Sequence, residues 1–156
     1  LIIPLYLQVK SLGLLNSQVG LILVYIGSMS PFSILLMRSF FETVPDELIE
    51  AARIDGSSEF GTFYRIGIPL VRPGIGTVVI LQLLAVWNEF LYATVLIQDV
   101  NKKPLQPVIF NLVGQFNTNW PALTAALTMA IIPVVLVYIN MQKQFVAGLT
   151  QGALKG

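Results

Sequence analysis

Long apolar runs alternate with short polar segments along most of this chain. No charged residue lies between Lys10 and Arg38, and a helix needs about 20 predominantly apolar residues to cross a bilayer. The pattern predicts an all-α polytopic membrane protein. The end of one span is predicted at 1–6, and three complete spans at 20–37, 73–97 and 120–140. Since the chain opens inside an apolar run, we expect a fragment that lacks its N-terminal spans.

Composition agrees with this class. The chain is 55% hydrophobic and 11% charged, whereas a soluble domain has about 25% charged residues. It contains no Cys and no His, which excludes disulfides, thiol chemistry and the commonest metal ligand and general base. We therefore predict no catalytic residue, no cofactor and no metal site. The net charge of +1 argues against a nucleic-acid partner.

The charged residues are concentrated in one stretch between Arg38 and Pro73. Six of the eight acidic residues and four of the nine basic ones lie there, with long apolar runs on either side. This stretch is where a protein of such composition can meet water and a soluble partner. The segment from 45 to 69 is accordingly predicted to be a loop between two spans.

Two short helices are predicted within that loop. Pro45 fits the first helical position, and Gly56 fits the left-handed position that closes a helix. Ser57 or Ser58 can cap a second helix, which Pro69 should end. Apolar residues go most of the way round the first helix. It is therefore suited to burial between two bodies rather than to lying on a membrane with one wet face.

The same loop carries a spaced set of residues that points to a family. The set is Glu50-Ala51-Ala52, Asp55-Gly56, Phe60, Ile68, Pro69 and Pro73. It resembles the EAA loop of binding-protein-dependent ABC importer permeases. Together with Trp87-Asn88-Glu89-Phe90 and the tail Gly148–Gly156, this sequence is similar to the carbohydrate branch of the family, in particular to the smaller maltose-type permease. The resemblance covers nearly the whole chain.

The resemblance implies a single type I ABC importer transmembrane domain, truncated at its N-terminus, in the cell membrane of a bacterium or archaeon. Its implied partners are a cytoplasmic ABC ATPase dimer, a second homologous or identical permease subunit, an extracytoplasmic solute-binding protein and the lipid bilayer. The implied segments are a cytoplasmic coupling loop at 45–69, an external loop at 98–119 that faces the binding protein, and a cytoplasmic tail at 142–156 that reaches toward the ATPase pair. For 98–119, a merely solvated loop is the alternative.

The resemblance assigns ATPase coupling to five residues: Glu50, Ala51, Ala52, Asp55 and Gly56. Glu50 would be the charged contact to an Arg or Lys of the ATPase. The two alanines would form a close-packing surface, since small side chains let another protein approach the backbone. Glu50 has an alternative role as the internal partner of Arg53, three residues on. Asp55 could serve only to stabilise its own turn.

Three polar residues in the 73–97 run are candidates for the transport pathway or for contact with the second permease: Gln82, Asn88 and Glu89. Gln82 and Glu89 are seven apart and nearly eclipsed on a continuous helix. An ionisable residue within a span is a functional hypothesis by default, because a charge there is costly. The alternative is that a neighbouring helix or the external loop holds Glu89 for structural reasons.

The predicted function is that of a permease subunit for a sugar or oligosaccharide, not of an enzyme. The chain has no phosphate-binding G-x-x-x-x-G-K-[ST] motif, so a separate subunit must bind ATP. Six basic residues fall in the segments predicted to be cytoplasmic and three in those predicted to be external, which agrees with the positive-inside rule. Another solute, such as a polyamine or a phosphorylated polyol, and a secondary transporter or channel remain as alternatives.

Overall fold

The computed structural model describes residues 1–113 and 118–153, with side chains as far as residue 142, and these residues form helices without a strand. The helices are α1 (Ile2–Ser11), α2 (Gln18–Phe41), α3 (Asp46–Ile54), α4 (Glu59–Thr62), a π-helix (Phe63–Gly67), α5 (Ile68–Leu70), α6 (Arg72–Trp87), α7 (Leu91–Leu96), a 3-10 turn (Val100–Lys102), α8 (Leu105–Phe110) and α9 (Trp120–Ala153). The predicted all-α class is confirmed.

Two of these helices are long and apolar enough to cross a membrane. They are Gln18–Phe41, with 24 residues, and Trp120–Gln142, with 23 residues. The remaining predicted span, 73–97, is not one helix. The helix α6 has 16 residues and ends at Trp87, and α7 starts at Leu91. A bend of 70° separates α6 from the helical segment Glu59–Leu70, and this pair could form a third, broken span.

Two helix boundaries predicted in the loop, at Pro45 and Pro69, are wrong. Pro45 is the N-cap of α3 rather than its first residue, since its ψ of 132° is extended. Pro69 does not end the second helix, which continues to Leu70. Pro69 lies in the first turn of α5, directly after the π-helix. At the other end of the chain, the helix that contains the predicted span 120–140 continues to Ala153.

The chain divides into two compact units, one formed by Leu1–Ser30 and Leu83–Val137, the other by Pro31–Gln82 and the residues from Tyr138 onward. In the first unit, α7 packs on α1 and the first half of α2. Ala93 and Ile97 are completely buried there. The other buried members of this core are Val9, Leu21, Val24 and Leu96. Burial of this apolar set holds the short helix α7 in place.

The segment 98–119, predicted to be an external loop, contains a packed helix. In α8, Pro107 and Ile109 are buried, and Ile109 forms a small core with Leu123 and Ala130 of α9. The rings of Phe90 and Phe110 lie 4.9 Å apart. An apolar run within the polar stretch thus folds back on α9, because that contact removes its side chains from water. Residues 114–117 lie outside the described part of the chain.

Asn16 joins the α1–α2 connection to the segment that follows α7. Its side-chain Oδ1 accepts hydrogen bonds from the backbone N–H groups of Gln98 at 3.1 Å and Asp99 at 2.9 Å. Its own N–H donates to the carbonyl of Leu96 at 2.9 Å. Asn16 has a φ of 54°, which asparagine tolerates better than most residues. One side chain therefore fixes two segments about 80 positions apart in the sequence.

Replacing Asn16 with alanine is expected to lower the free energy of unfolding of the full-length protein by about 2 kcal/mol. The change removes two hydrogen bonds, each worth about 0.5–1.5 kcal/mol. It also puts alanine, whose side chain cannot form local hydrogen bonds, in the left-handed region. Thermal unfolding in detergent measures the loss. Asn16→Asp, which keeps an oxygen at Oδ1, should lose less, and an unchanged melting temperature for Asn16→Ala would refute the joining role.

In the second unit, the end of α2 packs closely on the start of α6. Gly74 is buried, and a Cβ built on it would lie 2.3 Å from Cγ of Phe40. Glycine at this position lets α6 approach the Phe40 ring. Phe41, the last residue of α2, stacks on Phe63 of the π-helix at 5.8 Å between ring centroids and 16° between planes. These contacts fix the base from which the 45–69 loop extends.

Candidate functional site

The turn that ends α3 is built on Gly56, as predicted. Gly56 has a φ of 79°. Its N–H donates to the carbonyl of Arg53 at 3.0 Å, and the N–H of Ser57 donates to the carbonyl of Ala52 at 2.9 Å. This pair of bonds is the Schellman motif, in which a left-handed residue closes a helix. A Cβ at Gly56 would have no atom within 4 Å, so the need for glycine comes from the backbone conformation.

The second helix of the loop starts as predicted. Ser58 is its N-cap, and its hydroxyl accepts a hydrogen bond from the N–H of Gly61 at 3.2 Å. Since the Schellman turn and this cap follow one another directly, the chain direction between α3 and α4 is set by hydrogen bonds on both sides. A short turn of this kind holds α3 in a defined orientation on the loop.

Arg53 pairs with Glu59, not with Glu50. Its Nε donates to Oε1 of Glu59 at 2.8 Å, and both side chains are largely exposed. The hydrogen bond and the charge of Glu59 raise the pKa of the Arg53 guanidinium. The alternative in which Glu50 pairs with Arg53 is therefore wrong, because the turn after α3 brings Glu59 to the guanidinium instead. Glu50 forms no salt bridge within the described residues.

The predicted close-packing surface is divided between two faces of α3. Ala51 is exposed, whereas Ala52 is only 7% exposed and faces the interior of the chain. Glu50 and Asp55 are also exposed, and the Asp55 side chain makes no hydrogen bond that would stabilise its own turn within the described part of the chain. The resemblance assigned both alanines to one packing surface, but adjacent residues on a helix point about 100° apart.

Large apolar side chains are exposed around α3. Leu48 is 44% and Ile54 86% exposed on the helix itself, and Phe60 and Tyr64 are 78% and 64% exposed on the segment that follows. The rings of Phe60 and Tyr64 stack at 6.4 Å. Exposed apolar residues beside charged ones are typical of a surface that binds another protein.

Glu89 is held by three hydrogen bonds from its own chain. Its Oε1 accepts from the N–H of Tyr92 at 2.7 Å, and its Oε2 accepts from the N–H of Ala93 at 3.1 Å and from the hydroxyl of Tyr25 at 2.8 Å. The carboxylate thus caps the first turn of α7 and ties it to α2. These contacts support the alternative in which a neighbouring helix holds Glu89 for structural reasons.

Gln82 and Glu89 do not lie on one continuous helix as predicted, since α6 ends at Trp87. Gln82 donates from Nε2 to the Ser33 hydroxyl at 2.7 Å. Asn88 donates from Nδ2 to the carbonyl of Leu84 at 2.8 Å and so satisfies the end of its own helix. A role of these side chains in the pathway or against a second permease stays a prediction.

Comparison with known proteins identifies the chain. Residues 1–151 match the family described as "Binding-protein-dependent transport system inner membrane component". The chain belongs to this family. The chain is 39% identical over 155 residues to the probable ABC transporter permease protein YurM of Bacillus subtilis, covering 99% of this chain and 52% of YurM. It is 34% identical over 156 residues to the diacetylchitobiose uptake system permease protein NgcG of Streptomyces coelicolor, covering 99% and 52%.

A solved structure has the same fold. It is the crystal structure of a bacterial ABC transporter involved in the import of the acidic polysaccharide alginate, which superposes with a TM-score of 0.77 at 30% identity and covers 92% of this chain and 55% of that one. The predicted resemblance to ABC importer permeases is confirmed. The chain spans about half the length of the curated relatives it matches.

Some structurally important residues of the chain carry no sequence motif. Tyr25, which bonds to Glu89, and Asn16, which joins two segments, belong to no motif. Tyr25 could have been suspected only because its hydroxyl lies in an apolar run and needs a partner, which Glu89 supplies. Among the described residues, no group of three or more Asp, Glu, His or Cys side chains is placed to hold a metal ion. The loop around α3, with its exposed apolar and charged side chains, is the candidate site.

Proposed function

We propose that this chain is part of the permease subunit of an ATP-driven ABC importer and that α3 is its coupling helix. The observation that carries the proposal is the exposed combination on α3 of Glu50, Ala51 and the apolar side chains Leu48 and Ile54. The proposed partners are a cytoplasmic ATPase dimer, a second permease and an extracytoplasmic solute-binding protein. This assignment places the 45–69 loop and the tail at 142–156 in the cytoplasm.

In the proposed mechanism, α3 sits in a cleft of the ATPase. When two ATPase subunits close on ATP, the clefts move, and the loop transmits that displacement to α2 and α6, the helices attached at its two ends. The pathway then changes between inward-facing and outward-facing states. The Schellman turn at Gly56 and the Ser58 cap support this role, because a stiff connection transmits displacement better than a flexible one. The described chain performs no nucleotide chemistry in this scheme.

A sugar or oligosaccharide is the proposed substrate class. Relatives of this chain are named for uptake of diacetylchitobiose, arabinooligosaccharides and melibiose, raffinose and stachyose. The segment 98–119 is proposed to contact the solute-binding protein, and the helix α8 within it offers a fixed surface for that contact. Import of another solute through the same coupling loop remains the second candidate.

A cysteine-crosslinking scan of α3 tests the coupling role. Single cysteines are placed from Glu50 to Gly56 in the full-length permease, assembled with its ATPase, second permease and binding protein. We expect crosslinks to the ATPase from Ala51 but not from Ala52, because only Ala51 is exposed. A cysteine at Glu42, an exposed residue paired with Arg38 outside the two loop helices, is the control.

ATP hydrolysis is measured in parallel with the binding protein loaded with candidate sugars. Stimulation by one sugar would support the importer function and give the substrate. Absence of any crosslink along α3 in an assembled complex would overturn the proposal. Transport driven by an ion gradient without the ATPase would favour a secondary transporter instead.

A further inference from the structure

A small groove lies beside the coupling helix. It has a volume of about 240 Å³ and is lined by the end of α2, the start of α3, and the α4 and π-helix segment. Its apolar wall includes the stacked rings of Phe41 and Phe63 together with Val44 and Ile49. Binding sites for free ligands usually measure about 300–1,000 Å³. A groove of this size suits one inserted side chain better than a free ligand.

Thr62 contributes a buried hydroxyl to the lining of this groove. The residue is only 3% exposed, and its Oγ1 has no hydrogen-bond partner among the residues that the structure describes. A buried polar group without a partner costs about 1–3 kcal/mol, so natural structures rarely retain one without a reason. The hydroxyl can accept a hydrogen bond from a group that enters the groove. The adjoining π-helix is of a kind that occurs frequently at functional sites.

The charged residues in the lining are acidic. Asp46 and Glu59 line the groove, and no lysine or arginine does. Glu59 uses Oε1 for Arg53, which leaves Oε2 for another donor, and Asp46 forms no salt bridge within the described residues. The groove therefore combines apolar walls with carboxylates at its rim. This combination fits a side chain with an apolar stem and a cationic head.

We propose that the groove receives an arginine or lysine side chain of the ATPase subunit. The stem would lie along Phe41 and Phe63, the cationic head would pair with Asp46 and Glu59, and the Thr62 hydroxyl would accept one of its N–H groups. This contact rests on the proposed function, since it requires the ATPase to dock on α3. It adds a second anchor, in which the permease supplies the cavity and the ATPase the inserted residue.

Two variants of the full-length permease test the inference through the affinity of the assembled permease for its ATPase. Asp46→Asn removes the rim charge, and Thr62→Val removes the hydroxyl at nearly constant volume. We expect each to weaken ATPase binding roughly tenfold, as for a well-packed interface contact. Glu47→Gln is the matched control: Glu47 also lies in the first turn of α3 but does not line the groove, and it should change the affinity by less than about twofold.

Thr62→Val also separates docking from folding. Because its hydroxyl has no partner among the described residues of the free chain, the variant should unfold at the same temperature as the wild type or higher, while its ATPase affinity falls. A fall in melting temperature that accompanies the weaker binding would mean a structural role and would overturn the inference. Unchanged affinity in both variants would overturn it as well.

A photo-crosslinking residue at Val44, within the groove lining, identifies the occupant. We expect a crosslink to an ATPase peptide that contains Arg or Lys. If a cysteine at Ala51 reaches the ATPase and Val44 does not, the groove inference is wrong while the coupling role stands. If neither position reaches the ATPase, the coupling role is wrong and the groove inference falls with it. A Val44 crosslink to the permease itself or to the second permease also refutes the groove inference.

Discussion

Glu89→Ala is expected to destabilise the full-length permease by about 3 kcal/mol or more, because it removes three hydrogen bonds to a charged acceptor, each worth about 1.5–3 kcal/mol. The variant removes the acceptor of three donors at once: the N–H groups of Tyr92 and Ala93 and the hydroxyl of Tyr25. Ala93 is completely buried, so water cannot replace the carboxylate at its N–H without opening the core. Thermal unfolding in detergent and the yield of assembled complex measure the loss.

Glu89→Gln is the informative control for this prediction. Its amide keeps one oxygen and loses the charge, so it should fall between the wild type and Glu89→Ala. Tyr25→Phe removes only one donor and should lose about 1–3 kcal/mol, since it leaves Oε2 bonded to Ala93. If Glu89→Gln assembles and unfolds like the wild type but fails to transport, the pathway role predicted from the sequence would be correct and the structural role insufficient.

Gly20→Ala is the second change with a large expected effect, a loss of about 3 kcal/mol or more. A Cβ at Gly20 would lie 2.3 Å from the backbone carbonyl oxygen of Leu14 and 3.0 Å from its Cβ. The clash is with backbone in the α1–α2 connection, which cannot move without disturbing the neighbouring Asn16 contacts. The measurement is again the melting temperature of the full-length protein.

Gly27→Ala is the matched control on the same helix. A Cβ at Gly27 would have no atom of the described residues within 4 Å, and alanine favours helix over glycine by about 0.8–1.0 kcal/mol. Gly27→Ala should therefore unfold at the wild-type temperature or above it. Equal melting temperatures for the two variants would show that the α1–α2 connection can move aside, and the predicted cost at Gly20 would be wrong.

In the charged loop, some features could be predicted from residues close in sequence and others could not. The left-handed turn at Gly56 and the cap at Ser58 were both predictable, because each depends on the conformational preference of one residue within a few positions. The same rules failed at Pro69, where a π-helix shifts the hydrogen bonds ahead of the proline. The segment Phe63–Gly67 carries no turn or cap signal, and the stacking of Phe63 on Phe41 involves a residue of α2 outside the segment.

The motif predicted which helix carries the candidate site, but packing decides which of its residues are exposed. Glu50 and Ala51 lie exposed on α3 as a coupling surface requires, but Ala52 is turned inward and Arg53 pairs with Glu59. The groove that holds Thr62 could not be predicted, because it is formed by residues from 41 to 67 that are not close in the sequence. A cavity is a property of how elements pack, and no single element encodes it.

The sequence by itself determined the membrane class, the position of the charged loop and the turn that closes α3. Hydrophobicity, charge and the special conformations of glycine act within a single segment, so they can be read along the chain. Only the tertiary structure decided that the 73–97 run breaks at Asn88, that Glu89 bonds to Tyr25, and that Asn16 holds residues 98 and 99. Those outcomes depend on which distant donors and acceptors meet, because a buried polar group takes its partner from the folded surroundings rather than from its neighbours in sequence.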